Sequence, residues 1–208
     1  MKPHQIYLAL CLTLMAALGA AVADTRLTSS QITNSLLGVS NTRLAITAAE
    51  LRQRAVANVQ NFPGAVPPPG HLLVIPEFDK LAQFTVEINF DFNSAAIKPE
   101  SYRDVGAIAD ALHNPILLGY GILVIGHTDA VGTRTYNLGL SQRRAEAIRN
   151  ALIDPFGVNP AVLEAVGLGE EQLQDPKHPK AAVNRRVELV NIGKRFCFGR
   201  SGEQFQCP

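Results

Sequence analysis

Hydrophobic and polar positions along this 208-residue chain fall into blocks with distinct periods. Residues 84–92 alternate strictly, with Phe84, Val86, Ile88, Phe90 and Phe92 on one face, which predicts a half-buried strand. Pro99 then opens a helix in which Tyr102, Val105, Ile108, Ala109 and Leu112 recur at helical spacing, and Asn114-Pro115 closes it. The apolar run Ile122, Leu123, Val124, Ile125 reads as a buried strand, cut off by Gly126 and ending in a polar tip of His127, Thr128 and Asp129. After a Gly-containing loop, Ser141 suits a helix N-cap, and a helix to about Asp154 carries Ala145, Ile148 and Leu152 on its inner stripe. A Gly-punctuated strand over residues 163–168 follows. Beyond a Pro-containing loop, residues 186–192 alternate again, with Val187 and Leu189 opposite Glu188 and Val190. The order βαβαβ plus a last β predicts an α/β (α+β two-layer) domain over residues 81–193, a mixed sheet with helices on one face.

The flanks are different in character. Lys2, an apolar run over residues 6–18 and Ala21-Val22-Ala23 have the layout of a secretory signal peptide cleaved after Ala23, giving residues 1–23 as the leader. The run is shorter than the roughly 20 apolar residues of a spanning helix. Lipid attachment at Cys11 is disfavoured because Leu10, not a small residue, precedes it. Residues 24–61 show two weak helical stripes, Ile32, Leu36 and Leu37, then Ala48, Leu51, Ala55 and Val59. These helices are too few and too polar for a core of their own, which leaves three roles open: packing on the main domain, binding a partner, or remaining mobile. Nor can the segment hold a transmembrane barrel, which needs about eight strands of about ten residues. Residues 62–80 contain Pro67-Pro68-Pro69 and read as a semi-rigid linker.

Charge narrows the partners. Removing residues 1–23 takes away Lys2 alone of the 19 basic residues and none of the 18 acidic ones, leaving 18 against 18. That balance implies no basic patch for nucleic acid, since the only close groupings are Arg143-Arg144 and Arg185-Arg186. Cys197 and Cys207, in the tail over residues 194–208, read as a disulfide in an exported chain.

The segment over residues 126–145 brings an acid at a strand end, Asp129, toward a helix bearing Arg143, Arg144 and Arg149. At about 100° per residue, Arg144 lies at the edge of the Ala145–Ile148–Leu152 stripe while Arg143 points nearly opposite. Arg144 can therefore reach the sheet, and Arg143 reads as a solvated charge. Taken alone, Asp129 with Arg144 reads first as a fold-stabilising ion pair. His127 and Asp129, as His-x-Asp on one side of a strand, could begin a metal site, but His71, His113 and His178 stand in no ligand-spaced motif and the expectation is no metal.

Five motifs in order then carry a resemblance: Phe90-Asp91-Phe92-Asn93-Ser94; Gly126-His127-Thr128-Asp129; the run from Asn137 to Ala145; Gly167-Leu168-Gly169-Glu170; and Asn184-Arg185-Arg186-Val187-Glu188. Together they resemble the OmpA-like (OmpA/MotB C-terminal-like) peptidoglycan-binding domain over residues 81–193. The resemblance implies non-catalytic binding of the cell-wall stem peptide, with Asp129 taking the amine of diaminopimelate and Arg144 its carboxylate. It implies supporting contacts from Asn93, Thr128 and Asn137, and it gives Asn184 and Arg185 the task of fixing the loop and strand beside the pocket. The chemistry is sensible on its own terms, because one fixed acid and one forked guanidinium complement a zwitterionic head group. The full expectation is a peptidoglycan-binding protein of the periplasm, either free there or associated with the outer membrane, without cofactor, possessing no transmembrane span in the mature chain and open to an envelope partner through residues 24–61. The rival classes are a wall-active hydrolase built on Asp129 and His127, for which no nucleophile–base arrangement is visible, and an adaptor working through the N-terminal segment.

Overall fold

The computed structural model describes residues 26–37, 47–64, 80–91, 93–198 and 203–206. The leader, most of the linker, Phe92, Cys207 and the side chain of Cys197 lie outside the described residues, and with them the expected disulfide.

Two short helices come first. α1 (Ser29–Leu36) and α2 (Ala48–Asn61) each start with a capping box: Thr28 with Gln31, and Thr47 with Glu50, exchange side-chain and backbone hydrogen bonds that satisfy orphan amides. Then follow β1 (Gln83–Val86), a 3-10 turn at Pro99–Ser101, α3 (Tyr102–Leu112), β2 (Tyr120–His127), α4 (Arg134–Ile153), β3 (Leu163–Gly169) and β4 (Val187–Lys194). A small hairpin, β5 (Phe196–Phe198) with β6 (Gln204–Gln206), ends the described chain. The main sheet has the order β1-β4-β2-β3; β2 and β3 run parallel, joined by α4, and β4 is antiparallel to both β1 and β2. The fold is mixed α/β, a four-stranded mixed sheet with helices.

The continuous apolar run in β2 reflects burial on both faces. Ile122 and Val124 join Val105, Ile108, Ala145, Ile148 and Leu152 under α3 and α4, with Ile32 and Leu36 of α1 closing that layer. Leu123 and Ile125 face the other way, with Val166, Leu168, Val190 and Ile192, and there α2 supplies the cover through Leu51 and Ala55. Ile32, Leu36, Leu51 and Ala55 are fully buried, so of the three roles open to the N-terminal helices the described parts take packing on the domain. Polar bonds reinforce it: Asn191 Nδ2 donates to Leu36 O at 2.8 Å, Glu164 accepts from Ala48 N at 2.8 Å, and Asn58 donates to Glu171. The expected one-sided helix layer thus gains a second, from outside the 81–193 block.

Three element boundaries differ from expectation. The first strand stops pairing at Val86, although Ile88 stays buried and Phe90 half-buried; beyond it the chain turns back on itself, with Lys98 N donating to Asn89 O and Phe90 bridging Ile97. Tyr102 is exposed because Ser101 takes the buried place at the start of α3, its hydroxyl accepting from Asn89 N at 2.8 Å. Gly126 does not end β2: the strand continues through it to His127.

The remaining boundary is the start of α4, where Ser141 is no N-cap. The helix begins two turns earlier, capped by Thr133, whose hydroxyl accepts from Tyr136 N. Ser141 sits mid-helix, fully buried, donating to Leu138 O and accepting from Gly169 N at 2.8 Å. Arg149 and Gln142 donate to the carbonyls of Leu163 and Ala165, and Gln142 also accepts from Gly167 N. Side chains of α4 therefore meet the backbone of the edge strand β3 at positions 163, 165, 167 and 169.

Candidate functional site

Where β2 ends, the chain leaves the sheet as Thr128 N donates to Gly169 O, and Ala130 N donates to Pro179 O. Asn137, on the first turns of α4, holds this loop from below: its Nδ2 donates to Asp129 O and Val131 O, both at 3.1 Å, and to the Glu170 carboxylate. The 89–98 loop approaches from the other side, with Asn93 at φ 53°, a left-handed conformation that Asn tolerates. Between the two loops and α4 lies a cleft of about 550 Å³, lined by Asp129, Arg144, Asn93, Lys98, Tyr136 and Arg185 among others.

Every residue expected at the site thus reaches this cleft or its frame. Asn93, Thr128, Asp129, Asn137, Arg144 and Arg185 all line it. Asn184 lies behind it, fully buried; its side chain accepts from Asp175 N and donates to His178 O and Pro179 O, tying down the 175–179 loop.

Arg144 is half-buried and Arg143 exposed. The Arg144 Nε donates to Ser94 O at 3.0 Å, and its guanidinium lies 4.7 Å from the Phe90 ring centroid. A hydrogen bond and a cation–π contact fix the plane of the fork before any ligand arrives. Burial pulls its pKa down from the ordinary arginine value, with no consequence for its charge at neutral pH.

Asp129 does not pair with Arg144. Its Oδ1 accepts from Val131 N at 3.1 Å, and its Oδ2 accepts from Arg185 Nη1 at 2.7 Å. The Asn-Arg-Arg segment therefore enters the cleft directly, and the acid's immediate partner comes from 56 residues away in sequence. No local periodicity points to that pairing; the adjacency of Asn184 and Arg185 in one of the five motifs is the only signal.

Two further acids were missed. Glu170 is fully buried, one oxygen held by Asn137 and the other without a hydrogen-bond partner among the described residues. Burial raises its carboxyl, the Asn137 bond opposes this, and the Glu171 charge adds to it, giving about 7. Glu171 is buried too, gripped by two nitrogens of Arg134. The motif Gly167-Leu168-Gly169-Glu170 is legible in the sequence, but nothing in the pattern gives either carboxylate a task.

His127 lies apart from this set. Still within β2, its Nε2 stands 3.4 Å from Glu188, whereas Asp129 has already left the strand, so His-x-Asp alternation does not bring the two side chains to a shared site. Burial lowers the His127 pKa. Burial alone would raise Glu188, but the His127 ring and Arg186, at 2.7 Å, hold it at about 2. Among the described residues no group of three His, Cys, Asp or Glu side chains is arranged to hold a metal ion, and no helix is long and apolar enough to cross a membrane.

Residues 89–186 match the model of the OmpA family. Over 115 residues the chain is 36% identical to outer membrane porin F of Pseudomonas aeruginosa, an alignment covering 54% of this chain and 32% of that protein. It is 40% identical over 102 residues to the peptidoglycan-associated lipoprotein of the same organism, covering 48% of this chain and 58% of the relative. The solved peptidoglycan-associated lipoprotein from Burkholderia pseudomallei aligns at 38% identity and a TM-score of 0.42, over 50% of this chain and 86% of that one. The chain thus spans about a third of the porin F relative and under three fifths of the curated lipoprotein.

Proposed function

Residues 89–186 belong to the OmpA family, and from that premise we propose that the Asp129–Arg144 cleft binds the stem peptide of cell-wall peptidoglycan without cleaving it. Asp129 takes the ammonium of a diaminopimelate head group and Arg144 its carboxylate, with Asn93, Thr128 and Asn137 shaping the walls. The observation that carries this reading is the pre-set fork of Arg144, held by Ser94 O and Phe90 in the same cleft that Asp129 lines. A planar guanidinium already oriented toward an open cleft loses little freedom on gripping a carboxylate with two parallel bonds.

The name of the lipoprotein relative, peptidoglycan-associated, supports the substrate class. The reading places the protein in the periplasm, linking the envelope to the wall. It is a binding role and not a hydrolytic one: His127, the base a hydrolase would need, is buried against Glu188. An envelope partner of residues 24–61 would read the outer faces of α1 and α2, since their apolar stripes are occupied by the sheet and α3.

Co-sedimentation with purified diaminopimelate-type peptidoglycan tests the proposal. Wild type is retained, and Asp129→Ala and Arg144→Ala are not. Equal retention of both variants overturns the site assignment, and release of soluble wall fragments overturns the non-catalytic reading.

A further inference from the structure

We propose that Arg185 reads a second carboxylate of the ligand, so that the cleft selects an ammonium accompanied by two carboxylates over a bare zwitterion. The inference rests on the stem-peptide reading of the Asp129–Arg144 cleft and assigns its selectivity to a residue outside the Asp129–Arg144 pair.

The root of Arg185 is fixed and its head is open. Its amide donates to Ala182 O at 2.9 Å, Asn184 before it is fully buried, and Arg186 after it is buried against Glu188. Its side chain is nonetheless 51% exposed, against 11% for the Asp129 side chain it touches. Only Nη1 is engaged, by Asp129; the remaining N–H groups of the guanidinium donate to no group among the described residues, and Arg185 lines the cleft.

Charge in the cleft points the same way. Its lining brings together three cations, Lys98, Arg144 and Arg185, and two anions, Asp91 and Asp129. An ammonium arriving at Asp129 comes up beside a guanidinium already bound there. A ligand with one ammonium and one carboxylate leaves that like-charge contact uncompensated and the cationic excess in place. A second carboxylate on the free edge of Arg185 offsets both. The Asp129 carboxylate has lone pairs enough for Val131 N, Arg185 and an ammonium together, so Arg185 need not leave when the ligand binds. A stem tripeptide supplies such an extra carboxylate either on its glutamyl residue or on the diaminopimelyl carbon remote from the free amine.

Calorimetric titration of the full chain with L-Ala-γ-D-Glu-meso-diaminopimelate, and with the two monoamides that each block one of those carboxylates, tests this. Wild type is expected to bind one monoamide about tenfold more weakly than the parent peptide, the scale of one charge-assisted hydrogen bond. Arg185→Gln should bind parent and monoamide within about twofold of each other, and Arg185→Lys, which keeps the charge without the fork, should fall between. Amidation that weakens wild type and Arg185→Gln by the same factor overturns the inference while leaving the Asp129–Arg144 site standing, provided Arg144→Gln still abolishes binding. A wild type that binds none of the three peptides overturns both readings.

Discussion

Gly126 and Gly167 lie opposite each other on the parallel strands β2 and β3, and the backbone of α4 crosses directly over the pair. A Cβ on Gly126 would stand 2.5 Å from Ser141 O, and one on Gly167 would stand 2.0 Å from Gln142 N. These are backbone atoms in the middle of a helix and cannot step aside. The two glycines set how closely α4 approaches the sheet, and hence how far Asn137 and Arg144, one turn to either side, project into the cleft.

Gly167→Ala should therefore cost at least about 3 kcal/mol, the upper range for overpacking a rigid contact. Gly126→Ala should act in the same direction. Urea denaturation followed by circular dichroism gives the values; an alanine variant within about 0.5 kcal/mol of wild type would mean that α4 shifts freely on the sheet.

Arg144→Lys isolates geometry from charge. The lysine keeps a cation on α4 but lacks the planar fork that Ser94 O and Phe90 orient. On the proposed function, stem-peptide affinity should fall by about tenfold or more while the melting temperature changes little, since the site is half-exposed. Unchanged affinity would remove the fork from the recognition argument.

The buried pair of Glu171 and Arg134 predicts a non-additive series. Both side chains are almost completely shielded from water, and Asn58 of α2 donates to the same carboxylate. Glu171→Ala alone should destabilise by about 3–5 kcal/mol by stranding the arginine. Arg134→Met combined with Glu171→Leu should recover much of that loss. A double variant as weak as the sum of its singles would show that the charges themselves, and not the stranded partner, matter.

Glu170 sets a pH dependence of known sign. Its folded-state value near 7 lies above the ordinary 4.5, so the folded state holds a proton that the unfolded chain has already released. The stability this contributes is complete below about pH 4.5 and is lost as pH rises through about 7. Glu170→Gln should thus be about 3 kcal/mol more stable than wild type at pH 8 and nearly equal to it at pH 4. Denaturant titrations at both pH values decide it, and a difference independent of pH contradicts the assignment.

Removing residues 24–61 should not yield a clean binding domain. It strips Leu51 and Ala55 from Leu123, Ile125, Val166 and Val190, and Ile32 and Leu36 from the opposite layer. The truncated chain should melt at lower temperature and bind a hydrophobic dye; a melting curve identical to that of wild type would make these helices ornamental.

The parts of this architecture legible in the sequence are those in which burial and apolarity coincide. β2, α3 and the second half of α4 show their periods because Ile, Leu and Val fill their inward positions. The first two turns of α4 hide because Arg134 and Asn137, and Ser141 just beyond them, are buried beside Leu138 and Leu140 and satisfied by hydrogen bonds, which breaks the apolar period. Helical phase separates Arg144 from Arg143 because that is a property of one helix. The partner of Asp129 is a property of the tertiary fold, set by a loop that Asn184 anchors from a distant part of the chain. The sparse stripe of α2 announces a helix without saying which surface it covers.

The row of α4 side chains along β3 has a consequence for the protein's behaviour in crowds. An outermost strand normally offers unpaired amides and carbonyls to any extended peptide that drifts past, and thereby invites fibrous stacking. Here Arg149 and Gln142 occupy the carbonyls of 163 and 165, and Gln142 and Ser141 the amides of 167 and 169, so the helix stands in for part of a fifth strand. That flank of the sheet is guarded from within the chain, by the same helix that carries Arg144 to the cleft.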